Sequence, residues 1–120
     1  AERVLLNTAL EDVQGMIGTL GGWLMKSQED PRELYRVGLN TSRLLLSCGD
    51  LVISWLLLKQ ADVAIAALAA GPSARDKTFY EAKLVTARWF AQNRLPLLTA
   101  ERAVAEATSL EVMEIDEALF

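Results

Sequence analysis

The sequence contains no histidine. That absence removes Ser-His and Cys-His nucleophile pairs, imidazole metal sites and the Glu-x-x-His di-iron motif of helical bundles. Only carboxylates remain for acid–base chemistry. Cysteine occurs once, as Cys48 in an apolar helical context, so no internal disulfide can form, which fits a reducing cytoplasm. Basic residues are scarce: 12 Lys and Arg stand against 16 Asp and Glu, the net charge is −4, and no window is dominated by Lys and Arg. Nucleic-acid binders draw most of their affinity from a basic stripe that neutralises phosphates, so that class is excluded. Proline appears three times, and no run alternates β-branched residues as a strand would.

What is present is apolar. Hydrophobic residues make up 52% of the chain and charged residues 23%, a balance that means a folded domain with surplus apolar surface rather than disorder. With 120 residues, the chain can bury one core without disulfides or metals. No signal peptide is expected within these residues: Ala1-Glu2-Arg3 runs straight into helical sequence, with Glu11 and Asp12 close behind. It does not open on Met, as expected of a piece cut from a longer protein.

Helix punctuation is sparse and clear. Asp30-Pro31-Arg32-Glu33 predicts a helix start, with Asp30 as cap, Pro31 at the first helical position and Glu33 completing a capping box. Gly71-Pro72-Ser73 is a stop followed by a fresh start, with Ser73 and Asp76 spaced as a second box, and Thr108 to Glu111 gives a third. These signals predict helices over residues 3–27, 31–70, 74–107 and 109–118. Gly38 and Gly49 each weaken the second helix by about 1 kcal/mol relative to Ala and invite a bend. Pro96 lacks an N–H and predicts a kink in the third, with Asn93-Arg94-Leu95 as the bend. Short connections predict antiparallel neighbours. The expected fold is therefore all-α: an antiparallel up-down helical bundle of three long helices plus a short C-terminal helix, in one domain spanning residues 1–120.

Between Gly49 and Gly71, 16 of 21 residues are hydrophobic. A membrane span needs about 20 consecutive apolar residues, but the uncharged run here is Leu51 to Leu58, closed by Asp50, Lys59 and Asp62. Each charge at a bilayer centre costs at least ~2.5 kcal/mol, so no membrane span is expected. Arg32, Arg36, Asn40, Arg43, Ser47, Asp50 and Ser54 recur every three or four residues and form one narrow polar stripe on a mostly apolar helix. This helix reads as the central one, covered on most of its circumference, with the stripe as a solvated or interface-facing seam in which Ser47 bridges Arg43 and Asp50. The first helix offers apolar residues from Val4 to Leu24, and the third offers Phe79, Tyr80, Leu84, Val85, Trp89, Phe90, Leu95 and Leu98. Two flanking helices sheath only about two-thirds of a third, so an apolar flank is left for an interface.

Other constellations have plain readings. Gly15, Gly18 and Gly22 share a helix face and suit close packing, since they match neither a dinucleotide fingerprint nor a P-loop. Trp23, Trp55 and Trp89, with Phe90, read as core or interface anchors. The row Arg32, Arg36 and Arg43 is the candidate for contact with an anionic ligand. Glu111, Glu114, Asp116 and Glu117 form a solvated acidic face beside the chain end. No catalytic, cofactor-binding or metal-binding residue is assigned.

Taken in order, Gly49-Asp50-Leu51, Trp55-Leu56-Leu57, Gln60-Ala61, Phe79-Tyr80-Glu81-Ala82-Lys83, Ala87-Arg88-Trp89-Phe90-Ala91, Leu95-Pro96 and the closing Asp116-Glu117-Ala118-Leu119-Phe120 resemble the C-terminal helical extension of a group of bacterial acyl-CoA dehydrogenases. The family is that of acetyl-CoA dehydrogenase-like C-terminal domains. The resemblance implies a parent oxidoreductase, a flavoprotein that uses FAD to convert an acyl-CoA to the 2,3-enoyl-CoA and passes electrons to an electron-transferring flavoprotein. It places the flavin, the substrate pocket and the catalytic glutamate in a preceding dehydrogenase body. This chain is then expected to be a non-catalytic domain, cytoplasmic, with no cofactor of its own, packed on that body and on neighbouring subunits of a homo-oligomer. The arginine row is its candidate for contact with CoA. The alternative is an autonomous helical module that homodimerises or grips a partner helix.

Overall fold

The computed structural model describes residues 1–120 and contains no strand. Its helices are α1 (Glu2–Lys26), α2 (Glu33–Ala69), α3 (Ala74–Arg94) and α4 (Leu97–Glu106), followed by single 3-10 turns at Glu111–Met113 and Glu117–Leu119. α1 runs antiparallel to α2: Arg3 reaches Asp62 at one end, and the Arg36 guanidinium stands over Trp23 at the other. α3 and α4 return along α2, since Arg94 meets Asp50, Arg43 meets Glu101 and Asn40 meets Thr108. The all-α up-down bundle forms as expected.

Local chemistry explains the joints. The α1–α2 turn closes when the Arg32 N–H donates to Asp30 Oδ1 at 3.1 Å, while the Glu33 N–H donates to the Asp30 carbonyl. Glu33 completes no capping box; its carboxylate lies 3.5 Å from Arg36 Nε instead. At the other end of α2, Gly71 adopts φ +71°, the left-handed conformation a helix stop requires. Ser73 Oγ then accepts the Asp76 N–H at 3.3 Å and caps α3.

α2 runs 37 residues without interruption through Gly38 and Gly49. Two expectations change. The bend in the third helix falls one to two residues later than expected, at Leu95-Pro96, and separates α3 from α4. Pro96 has no N–H to offer, and the Leu98 N–H donates to the Leu95 carbonyl in a tighter turn. The short C-terminal helix becomes two 3-10 turns, because this segment buries no residue that could hold a longer helix in place.

The core is thin. One cluster joins Ala9, Val13 and Met16 of α1 to Ala91, Leu95, Leu98 and Ala105 of α3, the bend and α4. Only 16 of 120 residues are buried, and the molecule is a slab of 68 × 30 × 17 Å with a radius of gyration of 20.0 Å. A compact domain of this length has a radius near ~14 Å. α2 is long and apolar enough to cross a membrane by length and composition, with a mean hydropathy of 1.7 over an 18-residue window. Its seam, however, holds Arg43 and Asp50 in ion pairs with α4 and α3, which ties it to this bundle.

Candidate interaction surface

The long helix α2 is inverted relative to an ordinary bundle helix. Its buried residues are Asn40, Ser47, Ser54, Ala61 and Ala64. The first four are seven residues apart, so they stay on one face and form a smooth seam against the other helices. The polar stripe expected to meet solvent or a partner therefore points inward. Small side chains let α1, α3 and α4 approach closely, and polar groups on the neighbours satisfy the longer ones. Asn40 Nδ2 donates to Thr108 Oγ1 at 2.8 Å and to the Arg36 carbonyl at 2.9 Å, and Asn40 Oδ1 accepts from Arg43 Nε at 3.3 Å. Arg43 also pairs with Glu101, and Arg94 donates to Asp50 at 2.9 Å. Ser47 does not bridge Arg43 and Asp50, because each has a better partner on another helix. Ser54 Oγ is buried with no partner at all.

A second polar contact locks α1 to α4. Asp12, nearly buried, accepts from Thr99 Oγ1 at 2.6 Å and from Arg102 Nη1 at 3.5 Å. Arg102 Nε also donates to Glu106 at 2.8 Å. Glu106 first, and Asp12 after it, hold the Arg102 guanidinium firmly charged. Composition and spacing did not single out Asp12, Thr99 or Arg102. The one signal was a carboxylate on the apolar face of α1, one residue from Val13.

The apolar side of α2 faces outward. Leu45 is 72% exposed and Leu46 71%, and Val52, Ile53, Trp55, Leu56, Val63 and Ile65 are exposed as well. The expectation that this helix is covered on most of its circumference is overturned. The expectation of a bare apolar flank describes what forms. Between α1 and α2 this flank dips into an open groove of 350 Å³ lined by Leu6, Asn7, Leu10, Leu51, Val52 and Trp55.

The aromatic residues divide. Trp23 is buried beneath Arg36, whose guanidinium lies 5.8 Å from the ring centre. Trp55, carrying Lys59 over its ring at 4.3 Å, and Trp89 are exposed, and Phe90 is half-buried. Of the glycines, Gly15 alone has a close neighbour, and that neighbour is the Arg102 side chain rather than a backbone; Gly18, Gly21 and Gly22 face open space.

Each arginine of the row has an acidic partner: Arg32 meets Asp30 at 3.0 Å and Glu114 at 3.2 Å, Arg36 meets Glu33, and Arg43 meets Glu101. The Arg32 hydrogen bonds hold the Asp30 carboxyl below its usual range, and Asp30 in turn raises Arg32. The acidic residues Glu111, Asp116 and Glu117 are exposed; Glu114 is joined to the row through Arg32.

The family described as "Acetyl-CoA dehydrogenase C-terminal like" matches residues 1–116. The chain belongs to this family. Over 119 residues it is 53% identical to the C-terminal region of the broad-specificity linear acyl-CoA dehydrogenase FadE5 of Mycobacterium tuberculosis (strain ATCC 25618 / H37Rv). The match covers 99% of this chain and 20% of that protein, so the chain spans a fifth of the length of the curated relative it matches.

Proposed function

We propose that this chain is the non-catalytic C-terminal domain of an FAD-dependent acyl-CoA dehydrogenase of the fatty-acid β-oxidation type, packing on the dehydrogenase body and supporting oligomer assembly in the cytoplasm. The inversion of α2 carries this reading: the helix spends its small and polar residues on its own bundle and leaves its large apolar ones bare. A compact monomer of this mass exposes about 6,400 Å², whereas this chain exposes 8128 Å². A run of large apolar side chains left exposed on one helix, from Leu45 to Ile65, is the kind of surface that marks a protein interface.

The residues present do not fit a flavin. Every groove is open, none exceeds 350 Å³, and that largest groove offers Asn7 as its one polar side chain. No glycine-rich turn opens a helix toward a pyrophosphate. In the proposed parent enzyme, flavin and acyl-CoA therefore belong to the body. Linear acyl-CoA is the proposed substrate class, from the name of the relative. The arginine row is a weaker candidate for CoA contact, since each arginine would have to exchange a carboxylate already at hand.

The test compares the parent dehydrogenase with a form trimmed of these 120 residues. The trimmed body should keep its flavin but lose assembled mass and thermal stability, and the chain alone should carry no flavin absorbance. Stoichiometric flavin on the isolated chain, or a trimmed body of unchanged mass and melting temperature, would falsify the reading.

A further inference from the structure

We propose that Asn40 is the positioning residue that keeps the small face of α2 turned inward, and so holds the leucine face of this helix outward. α2 offers two faces for burial. Asn40, Ser47 and Ser54 recur every seven residues on one, while Leu45, Val52 and Leu56 lie roughly half a helical turn around the axis on the other. Burial of apolar area alone favours the leucines. The chain buries the opposite face: Asn40 is 2% exposed and Leu45 72%. The seam itself therefore carries a device that sets the choice.

Directional bonds to another element are what Asn40 has and its seam neighbours lack. Its Nδ2 donates to Thr108 Oγ1 and to the Arg36 carbonyl, and its Oδ1 accepts from Arg43 Nε. The network continues on both sides. The Thr108 hydroxyl donates to the Ala105 carbonyl at 2.7 Å, and Arg43 pairs with Glu101. Asn40 thus ties α2 to α4 at two points, and a roll of α2 breaks both. In coiled coils a single buried Asn fixes register in the same way, at a cost in stability.

The other features of the seam set the angle less well. Ser54 Oγ is buried without a partner, so it opposes this orientation. Small side chains at positions 47, 54 and 61 permit close approach, but without hydrogen bonds they fix no single angle. Both ion pairs, Arg43 with Glu101 and Arg94 with Asp50, are partly exposed, and such pairs contribute little. This inference rests on the proposed docking only for the use made of the outward face; the orientation belongs to the chain itself.

The experiment uses the 120-residue chain in a Cys48→Ala background, with one thiol placed by Leu45→Cys or by Ser47→Cys. The rate of modification by N-ethylmaleimide reports which side of α2 faces water. With Asn40 present, the thiol at 45 should react at least about tenfold faster than the thiol at 47, because a buried group reacts only when the structure opens. Asn40→Ala keeps the seam small but deletes the network, and should bring the two rates together or reverse their order. Thr108→Val, which removes the hydroxyl on the other side, should narrow the ratio too, whereas Thr108→Ser should preserve it.

Far-UV circular dichroism separates a lost orientation from a lost helix; should Asn40→Ala lose helical signal, the Thr108 pair decides. Equal rates in the parent chain overturn the inference. So does a ratio unmoved by Asn40→Ala and Thr108→Val while the melting temperature falls, since Asn40 is then structural only. Binding of the parent chain to the trimmed dehydrogenase body is measured in parallel. If the rates respond as expected but the body is not bound, the domain role fails alone. If the body is bound and the ratio never moves, the inference fails and the domain role stands.

Discussion

The guanidinium of Arg102 lies where a β-carbon on Gly15 would project, so α4 lays its longest side chain directly on the backbone of α1. From there it reaches Asp12, 3.5 Å away and nearly buried. Gly15 is thus kept small by a side chain that satisfies a carboxylate one turn earlier.

Gly15→Ala and Gly18→Ala should therefore part company. Gly18 faces open space, so alanine there should stabilise the isolated chain by up to ~1 kcal/mol through helix propensity. Alanine at Gly15 gains the same propensity but displaces Arg102 from Asp12, and its melting temperature should fall below that of the Gly18 variant. Equal gains at both sites would show that the contact contributes nothing.

Removing a buried hydroxyl should help. Ser54 is fully buried and its Oγ has no partner. Ser54→Ala should stabilise the chain by about 1 kcal/mol, since an unsatisfied buried polar group costs roughly 1–3 kcal/mol. Ser54→Leu should destabilise by about 1–3 kcal/mol through overpacking of the closely approached seam. Urea denaturation of the two variants reads both signs, and a stabilising leucine would mean the seam is looser than its small residues imply.

Adjacent leucines after the Pro96 bend should behave differently. Leu98 is 1% exposed and Leu97 46%. Leu98→Ala should cost about 2–5 kcal/mol as a core deletion, while Leu97→Ala should stay within about ±0.5 kcal/mol. Chemical denaturation of the pair tests whether the bend, rather than helix periodicity through residue 107, sets which side points inward.

The α1–α2 turn should be acid-sensitive. Hydrogen bonding to Arg32 lowers the Asp30 carboxyl from its ordinary value of 3.8. A carboxyl depressed in the folded state adds stability that is complete above the unfolded value and is lost as pH falls through the folded one. The melting-temperature gap between the parent chain and Asp30→Asn should thus be constant at neutral pH and close progressively below about pH 4. A gap that persists in stronger acid would assign the effect to the backbone turn rather than to the charge.

Much of this architecture is legible in the residues. Asp30-Pro31, Gly71-Pro72-Ser73 and Pro96 mark helix joints because each carries a local backbone constraint, and such constraints act without reference to the rest of the chain. The seven-residue recurrence of Asn40, Ser47, Ser54 and Ala61 is equally visible, and it identifies one continuous face of α2.

Which way that face turns is not a local property. Hydrophobic patterning alone favours sending leucines inward and polar groups outward. In the folded chain the Arg94 guanidinium of α3, the Glu101 carboxylate of α4 and Thr108 just beyond α4 stand opposite the polar stripe, so the small face gives the closer packing and the polar groups find partners. The sequence by itself therefore determined an all-α chain, its joints and its surplus of apolar residues, because propensity and capping act within a few residues. Only the tertiary structure decided that α2 is inside out, because the orientation of a face depends on side chains 44 to 68 positions away along the chain.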